Sequence, residues 1–453
     1  MLRIFTVLTL TLAALQAEPR IHRVDPPVLQ PGEPTTVFIF GERLYDKQRD
    51  LAVKFWTSQP AEFAILDLPA SPEPHGAWFK ITLDSKVQPG TLLEIRAWDE
   101  TGISLPVTLL ADDLPAAKNA QRHAVLEAAS HLGPAPLGVG GVTNGAEPSF
   151  YWFEAEAGQQ LLFEVWGERL RRDFDPVLTI VDSKGNQIAF VDDVEGRGAD
   201  PWLVHKFERG GEFAIKLHDI QWRGEFPFWL RITDGLRVLP SDGDLRRTKS
   251  DFAVQKFLAD EDDFLTIIPQ TRSIGSPALL LSALHDPAGK VVARSGEADI
   301  LEELMRYRVR ESGEHELQIR DLLGRPNLAY LIKIRKDVAP FELTLEGKSR
   351  NRLAAPAAAE VKFKIRCRRF GFTEGEIALS LGEPFEDQKF VIEAKKNDVE
   401  VKLKMPEAKA GELFEFQIEG TAEIDGKRYT AVMQIEEEGV VSWKSNRMFA
   451  IVK

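Results

Sequence analysis

Cysteine is nearly absent: one residue, Cys367, in 453. No intramolecular disulfide can form, so an exported chain of this composition must rely on its cores or on metal ions. Cys367 sits in the alternating run V-K-F-K-I-R-C-R-R-F and reads as a packing residue rather than a reactive thiol. Histidine is sparse, at eight residues, and none stands in an H-E-x-x-H spacing. There is no G-x-S-x-G elbow and no S-x-x-K pair, which removes the common serine nucleophile signatures. The glycine-rich G-V-G-G-V-T-N-G (Gly138 to Gly145) lacks the third glycine of a dinucleotide fingerprint and the Lys-Ser/Thr of a P-loop. It reads as a loop entering a domain. Positive charge is in deficit: 57 Lys and Arg against 70 Asp and Glu leave a net charge of −13, which disfavours nucleic acid as a partner. Long apolar runs are missing too. Ile4 to Leu15 gives about twelve residues, too few for the roughly 30 Å of a bilayer core. Preceded by Arg3 and followed by Leu15-Gln16-Ala17, residues 1–17 read as a secretory signal. No transmembrane segment is expected once that signal is removed.

What is present alternates with period two. T-V-F-I-F (Thr36 to Phe40), L-L-F-E-V-W (Leu161 to Trp166), F-A-I-K-L (Phe213 to Leu217) and E-V-K-L-K-M (Glu400 to Met405) are short apolar or alternating runs. Pro31-Gly32, Pro89-Gly90, Lys184-Gly185-Asn186 and Asp425-Gly426 supply turns at their ends. This pattern predicts an all-β fold, a tandem array of about four β-sandwich domains. Composition shifts place the domains at 18–111, 134–236, 245–338 and 340–453, with a linker at 112–133. Ala116 to His131 in that linker is rich in Ala, Leu and Glu and ends at Gly133-Pro134, so it reads either as a helix or as an extended connection.

The two middle domains are copies of each other. D-P-V-L-T-I-V-D-S-K-G-N (Asp175 to Asn186), G-G-E-F-A-I-K-L-H-D (Gly210 to Asp219) and F-W-L-R-I (Phe228 to Ile232) return as S-P-A-L-L-L-S-A-L-H-D-P-A-G-K (Ser276 to Lys290), S-G-E-H-E-L-Q-I-R-D (Ser312 to Asp321) and Y-L-I-K-I (Tyr330 to Ile334). A repeat of this length marks duplicated domains. In this reading Ser276 stands where the first copy has Asp175.

The run from Ala157 to Asp193, with its A-G-Q-Q, D-P, D-S-K-G and D-D elements, resembles the bacterial pre-peptidase C-terminal domain. The second copy resembles a divergent member. Pro19 to Leu44 (P-R-I-H-R-V-D-P-P-V-L-Q-P-G-E-P-T-T-V-F-I-F-G-E-R-L) resembles an IPT/TIG-type immunoglobulin sandwich. The last domain is immunoglobulin-like by pattern only. These resemblances imply jelly-roll-like modules of secreted multidomain bacterial proteins, which commonly accompany peptidases; some related sandwiches bind calcium or collagen.

Two groups of side chains are candidate ligand sites, both in the first copy. Asp173, Asp175, Asp192, Asp193, Asp200 and Asp219 are oxygen donors that sandwich loops can converge on calcium; the alternative is that they are turn residues bonding their own backbone. Among the tryptophans of this copy, Trp202 and Trp222 are flanked by turn residues and are the candidates for an exposed binding surface. The reading is a secreted, non-catalytic binding or scaffolding protein whose partner is an extracellular protein or polysaccharide. A secreted hydrolase or its accessory subunit, and a carbohydrate-binding module, are the alternatives.

Overall fold

The computed structural model describes residues 18–46, 51–66, 76–117, 123–193, 199–234, 245–271, 274, 276, 278–295, 304–348, 350–370, 375–437 and 443–453. The signal-like residues 1–17 and the polar bridge 239–244 lie outside them. Among the described residues the regular structure is strand, with two short 3-10 turns and no α-helix. No helix is long and apolar enough to cross a membrane.

The chain forms several β-sandwiches, each with its own core. In the N-terminal one, the sheet of Arg20–Asp25, Pro34–Glu42, Gly76–Leu83 and Ala61–Leu66 faces a second sheet centred on Leu92–Asp99 and Val107–Ala111. Val37, Ile39, Phe79, Ile81, Leu93, Ile95 and Leu109 fill the space between them. Alternation accounts for this: every second residue of each strand points inward. The C-terminal sandwich has the largest cluster, around Leu343, Ile365, Leu379, Val401, Ile418 and Ile435. Cys367 packs in that cluster, and burial pushes its thiol pKa up, as expected of an inert packing residue. At the hairpin between Ile418–Ile424 and Lys427–Val432, Asp425 and Gly426 take φ of 50° and 74°. That is the doubly left-handed pair a two-residue hairpin needs.

The duplication is visible strand by strand. In the first copy Ser149–Ala155, Gly211–Asp219, Pro176–Asp182 and Gln187–Val191 pair in that order, and Leu137–Asn144, Gly224–Thr233, Gln160–Trp166 and Trp202–Lys206 form the facing sheet. The second copy repeats both orders with Ala253–Ala259, Gly313–Asp321, Leu280–His285, Val291–Ser295 and with Arg246–Arg247, Ala329–Arg335, Phe264–Gln270, Met305–Arg308. Register corrects one equivalence. Pro176 pairs with Asp219 and Leu280 with Asp321, so the partner of Asp175 in the second copy is Leu279, not Ser276. An aliphatic side chain there can ligate nothing.

The glycine-rich segment is a strand, not a loop. Leu137–Asn144 runs antiparallel to Gly224–Thr233, and a Cβ at Gly138 would collide with the Trp229 indole ring. The glycines make room for a buried tryptophan. The linker also departs from the helical reading. Leu126–Ala128 is one 3-10 turn, and Ser130–His131 lies parallel to Tyr151 and Trp152. Ala116 bridges Gly138 and His123 bridges Phe150. Helix propensity yields here because the sheet edges offer unpaired backbone groups, and the linker satisfies them.

Candidate functional site

The first-copy loop end collects several of the predicted aspartates, but around an arginine. Asp219 is fully buried at the close of its strand, where a turn folds back over it. Its carboxylate accepts from the backbone N–H groups of Asp175, Gln221 and Arg223. The Arg223 guanidinium donates to both of its oxygens at 3.0 Å and to Asp173 Oδ2 at 2.7 Å. Burial alone would raise the Asp219 pKa, yet Arg223 and these backbone donors hold it below the usual carboxylate range. A fixed cation therefore already sits between Asp173 and Asp219. The second copy reproduces the device: Asp321 accepts from Leu279, Leu323 and Arg325 N–H and binds the Arg325 guanidinium at 2.9 Å. Its pKa is likewise lowered against burial.

Asp175 lies beside this pair and is its electrostatic opposite. Burial, then the charges of Asp193, Asp219 and Asp192, push its pKa up. Asp192 receives the Asp193 N–H, and Asp193 is exposed. Asp200 belongs elsewhere. It is fully buried, accepts from the N–H groups of Gly167, Glu168 and Arg169, and pairs with Arg169 Nε at 2.6 Å. Among the described residues no group of three or more His, Cys, Asp or Glu side chains is arranged to hold a metal ion. Backbone capping and arginine pairing account for Asp173, Asp200 and Asp219. We expect Asp175→Asn to raise the first copy's thermal midpoint at neutral pH. A raised carboxyl pKa means the ionised form is disfavoured in the fold, so the gain shrinks as pH falls through that pKa. Melts of the wild type in calcium and in EDTA should superimpose; a calcium-specific rise abolished by Asp175→Asn would reverse this reading.

The tryptophans divide. Trp166 and Trp229 are buried, Trp202 is half-buried on a strand beside Glu164, and Trp222 is 42% exposed. Trp222 stacks on His218 with centroids 4.0 Å apart and planes at 3°. Neighbouring Ile220 is also 42% exposed. The equivalent turn of the second copy exposes Leu322 (45%) and Leu323 (52%).

Sequence patterning missed the seams between sandwiches. The N-terminal sandwich packs on the C-terminal one through Arg96 and Glu437, both 0% exposed and 2.6 Å apart. Asn351 also donates to Glu437. Around them Ile103, Phe449 and Ile451 form a shared apolar cluster, and Trp56 meets Phe449 edge-on. Arg352 crosses the same seam to Glu18 and to the Ile103 carbonyl. A second seam joins the N-terminal sandwich to the first copy. There Asp112 accepts from Trp229 Nε1 and pairs with Arg231, Arg231 with Glu164, Glu164 with Arg169, and Arg169 with Asp200. Val28, Leu110 and Leu114 pack on Trp166, Leu170 and Trp229 beside that chain. At a third seam Phe264 of the second copy meets Tyr429, and Lys427 meets Asp263.

No protein-family model matches the chain, and no curated protein sequence matches it. Solved structures that align along most of it are multidomain proteins. The Escherichia coli α2-macroglobulin activated by porcine elastase aligns at 12% identity over 95% of this chain, with a TM-score of 0.17. This chain spans 43% of that protein's length. The N-terminal four Ig domains of Dscam1 isoform 7.44 align at 9% identity over 93% of this chain and 99% of that one, with a TM-score of 0.17. A Ca2+-stabilized, ice-binding adhesin of an Antarctic bacterium aligns at 9% identity over 92% and 98%, with a TM-score of 0.16. At these scores the fold assignment rests on the sheets of this chain, not on the alignments.

Proposed function

We propose that this chain is an exported, non-catalytic binding or scaffolding protein, built on two pre-peptidase-type modules between immunoglobulin-like ones, and that it engages a protein partner. The observation that supports this is the repeated turn after Asp219 and Asp321. In both copies a buried carboxylate–arginine pair anchors the turn, and large apolar side chains point outward: Ile220 and Trp222 in one, Leu322 and Leu323 in the other. Exposed apolar groups on a fixed base suit docking, because little conformational freedom is lost on contact. The same carboxylates serve the fold in duplicate, each holding its own arginine. The stacked His218–Trp222 pair would equally suit the face of a sugar, and polysaccharide is the second reading.

The test compares the wild type with a variant carrying Ile220→Ser, Trp222→Ala, Leu322→Ser and Leu323→Ser. Each is exposed, so the thermal midpoint should hardly move. Co-sedimentation with envelope proteins should fall at least tenfold, while binding to insoluble cell-wall polysaccharide stays at background. Loss of polysaccharide binding alone would favour the sugar reading. Equal binding by both proteins would remove the turns from the function, and a hydrolytic activity abolished by a single substitution would replace it with an enzyme.

A further inference from the structure

A cavity of about 210 Å³ opens where the N-terminal sandwich, the first copy and the C-terminal sandwich meet. Glu94 and Thr108 line it from the first of these, Arg171 from the second, and Lys444, Ser445 and Arg447 from the third. We propose that it binds an oxyanion, a carboxylate or phosphate group, held jointly by all three sandwiches. This site is separate from the apolar turns.

Three observations carry it. First, the walls are cationic in a chain whose net charge is −13. Arg171, Lys444 and Arg447 face one lining carboxylate, Glu94, which accepts from Arg171 at 2.8 Å. Glu415 grips Arg447 from outside the lining. Three cations against these two carboxylates leave an excess of one. Lys444 is exposed and forms no ion pair among the described residues. Second, Thr108 is 2% exposed, and its hydroxyl has no hydrogen-bond partner. A buried hydroxyl left unpaired is costly unless something reaches it, and this one borders the cavity. Third, Arg171 is placed there at a backbone cost. It ends a 3-10 turn in the left-handed region with φ of 62°, and burial depresses its pKa even with Glu94 beside it. The volume lies below the roughly 300–1,000 Å³ of sites for drug-sized ligands, so a single oxyanion group suits it better than an extended molecule.

The experiment is calorimetric titration of the full chain with inorganic phosphate and, separately, with succinate, ionic strength being held constant with sodium chloride. At least one probe should bind saturably, and which one does so separates phosphate from carboxylate recognition. Lys444→Gln should weaken that binding about tenfold, and Thr108→Val about threefold. Both substitutions leave the chain able to fold: Lys444 is at the surface, and valine has the shape of threonine. The bound anion should also raise the thermal midpoint of the wild type more than that of Lys444→Gln. Absence of saturable binding by either probe, or binding indifferent to both substitutions, would overturn the proposal.

Discussion

Replacing Glu437 by leucine is expected to destabilise the chain by about 3–5 kcal/mol, the cost of leaving one member of a buried ion pair unpaired. Arg96 has no exposed surface, so its guanidinium cannot turn to water when its carboxylate is removed. It would keep the Ser104 carbonyl at 3.2 Å and a distant contact to Glu94 at 3.5 Å, neither a replacement for a 2.6 Å charge-assisted bond. Asn351 would lose an acceptor as well. Arg96→Met with Glu437→Leu should recover at least half of the loss, because an apolar pair removes both desolvation penalties. Solution scattering gives a second readout. If the pair closes the N-terminal sandwich on the C-terminal one, Glu437→Leu should enlarge the radius of gyration before any sandwich unfolds. A midpoint within about 1 kcal/mol of the wild type would mean that the seam is held by its aromatic and aliphatic contacts alone.

That seam was not legible in the sequence, and the reason is physical. Leu93, Ile95 and Ala97 alternate inward and announce a strand, which leaves Glu94, Arg96 and Trp98 on the outer face. An outer face with charge and an aromatic ring reads as solvated. Only a partner 341 residues away turns Arg96 into a core residue, and alternation carries no information about such partners. The signal that was available is the tryptophan next to the arginine in an outward register. By contrast, strand content, the two-residue turns and the duplication were readable, since each depends on neighbours within a few residues. The linker sequence is open between a helix and an extended connection, and its described residues take the extended one, because their conformation is set by the edges they cover. The acidic loop was legible in part. Asp173, Asp175 and Asp219 do lie at one loop end, but Arg223, four residues beyond Asp219, was overlooked as a counter-ion there. Its equivalent Arg325 stands at the same spacing from Asp321, and that repeated Asp-x-x-x-Arg spacing was the missed clue.

The seams also change what kind of array this is. A string of independent domains would expose both faces of each terminal sandwich. Here the first sandwich touches the second and the last, and the last touches the third. The chain therefore returns on itself, and the repeated turns of the two copies are displayed from an assembly with internal fixings.

Asp219→Asn should cost about 3 kcal/mol at neutral pH, since it replaces a charged acceptor by an amide that presents N–H to N–H donors. Asp321→Asn should cost a similar amount. The two sites lie in different copies and share no hydrogen-bond partner, so the double variant should show nearly the sum. The pH dependence follows from the direction of the shifts. Both carboxylates titrate lower in the fold than in the unfolded chain. Their contribution is therefore fully present above the unfolded value of about pH 4, and is lost as pH falls through the lower folded values. The wild type should lose stability steeply below about pH 4, and each asparagine variant should be flatter there, because it no longer has that proton to take up. Urea midpoints measured from pH 7 down to pH 2 check this. If Asp219→Asn keeps its full deficit at the acid end, the cost comes from side-chain shape rather than from the charged pair, and Arg223 is not what holds the turn.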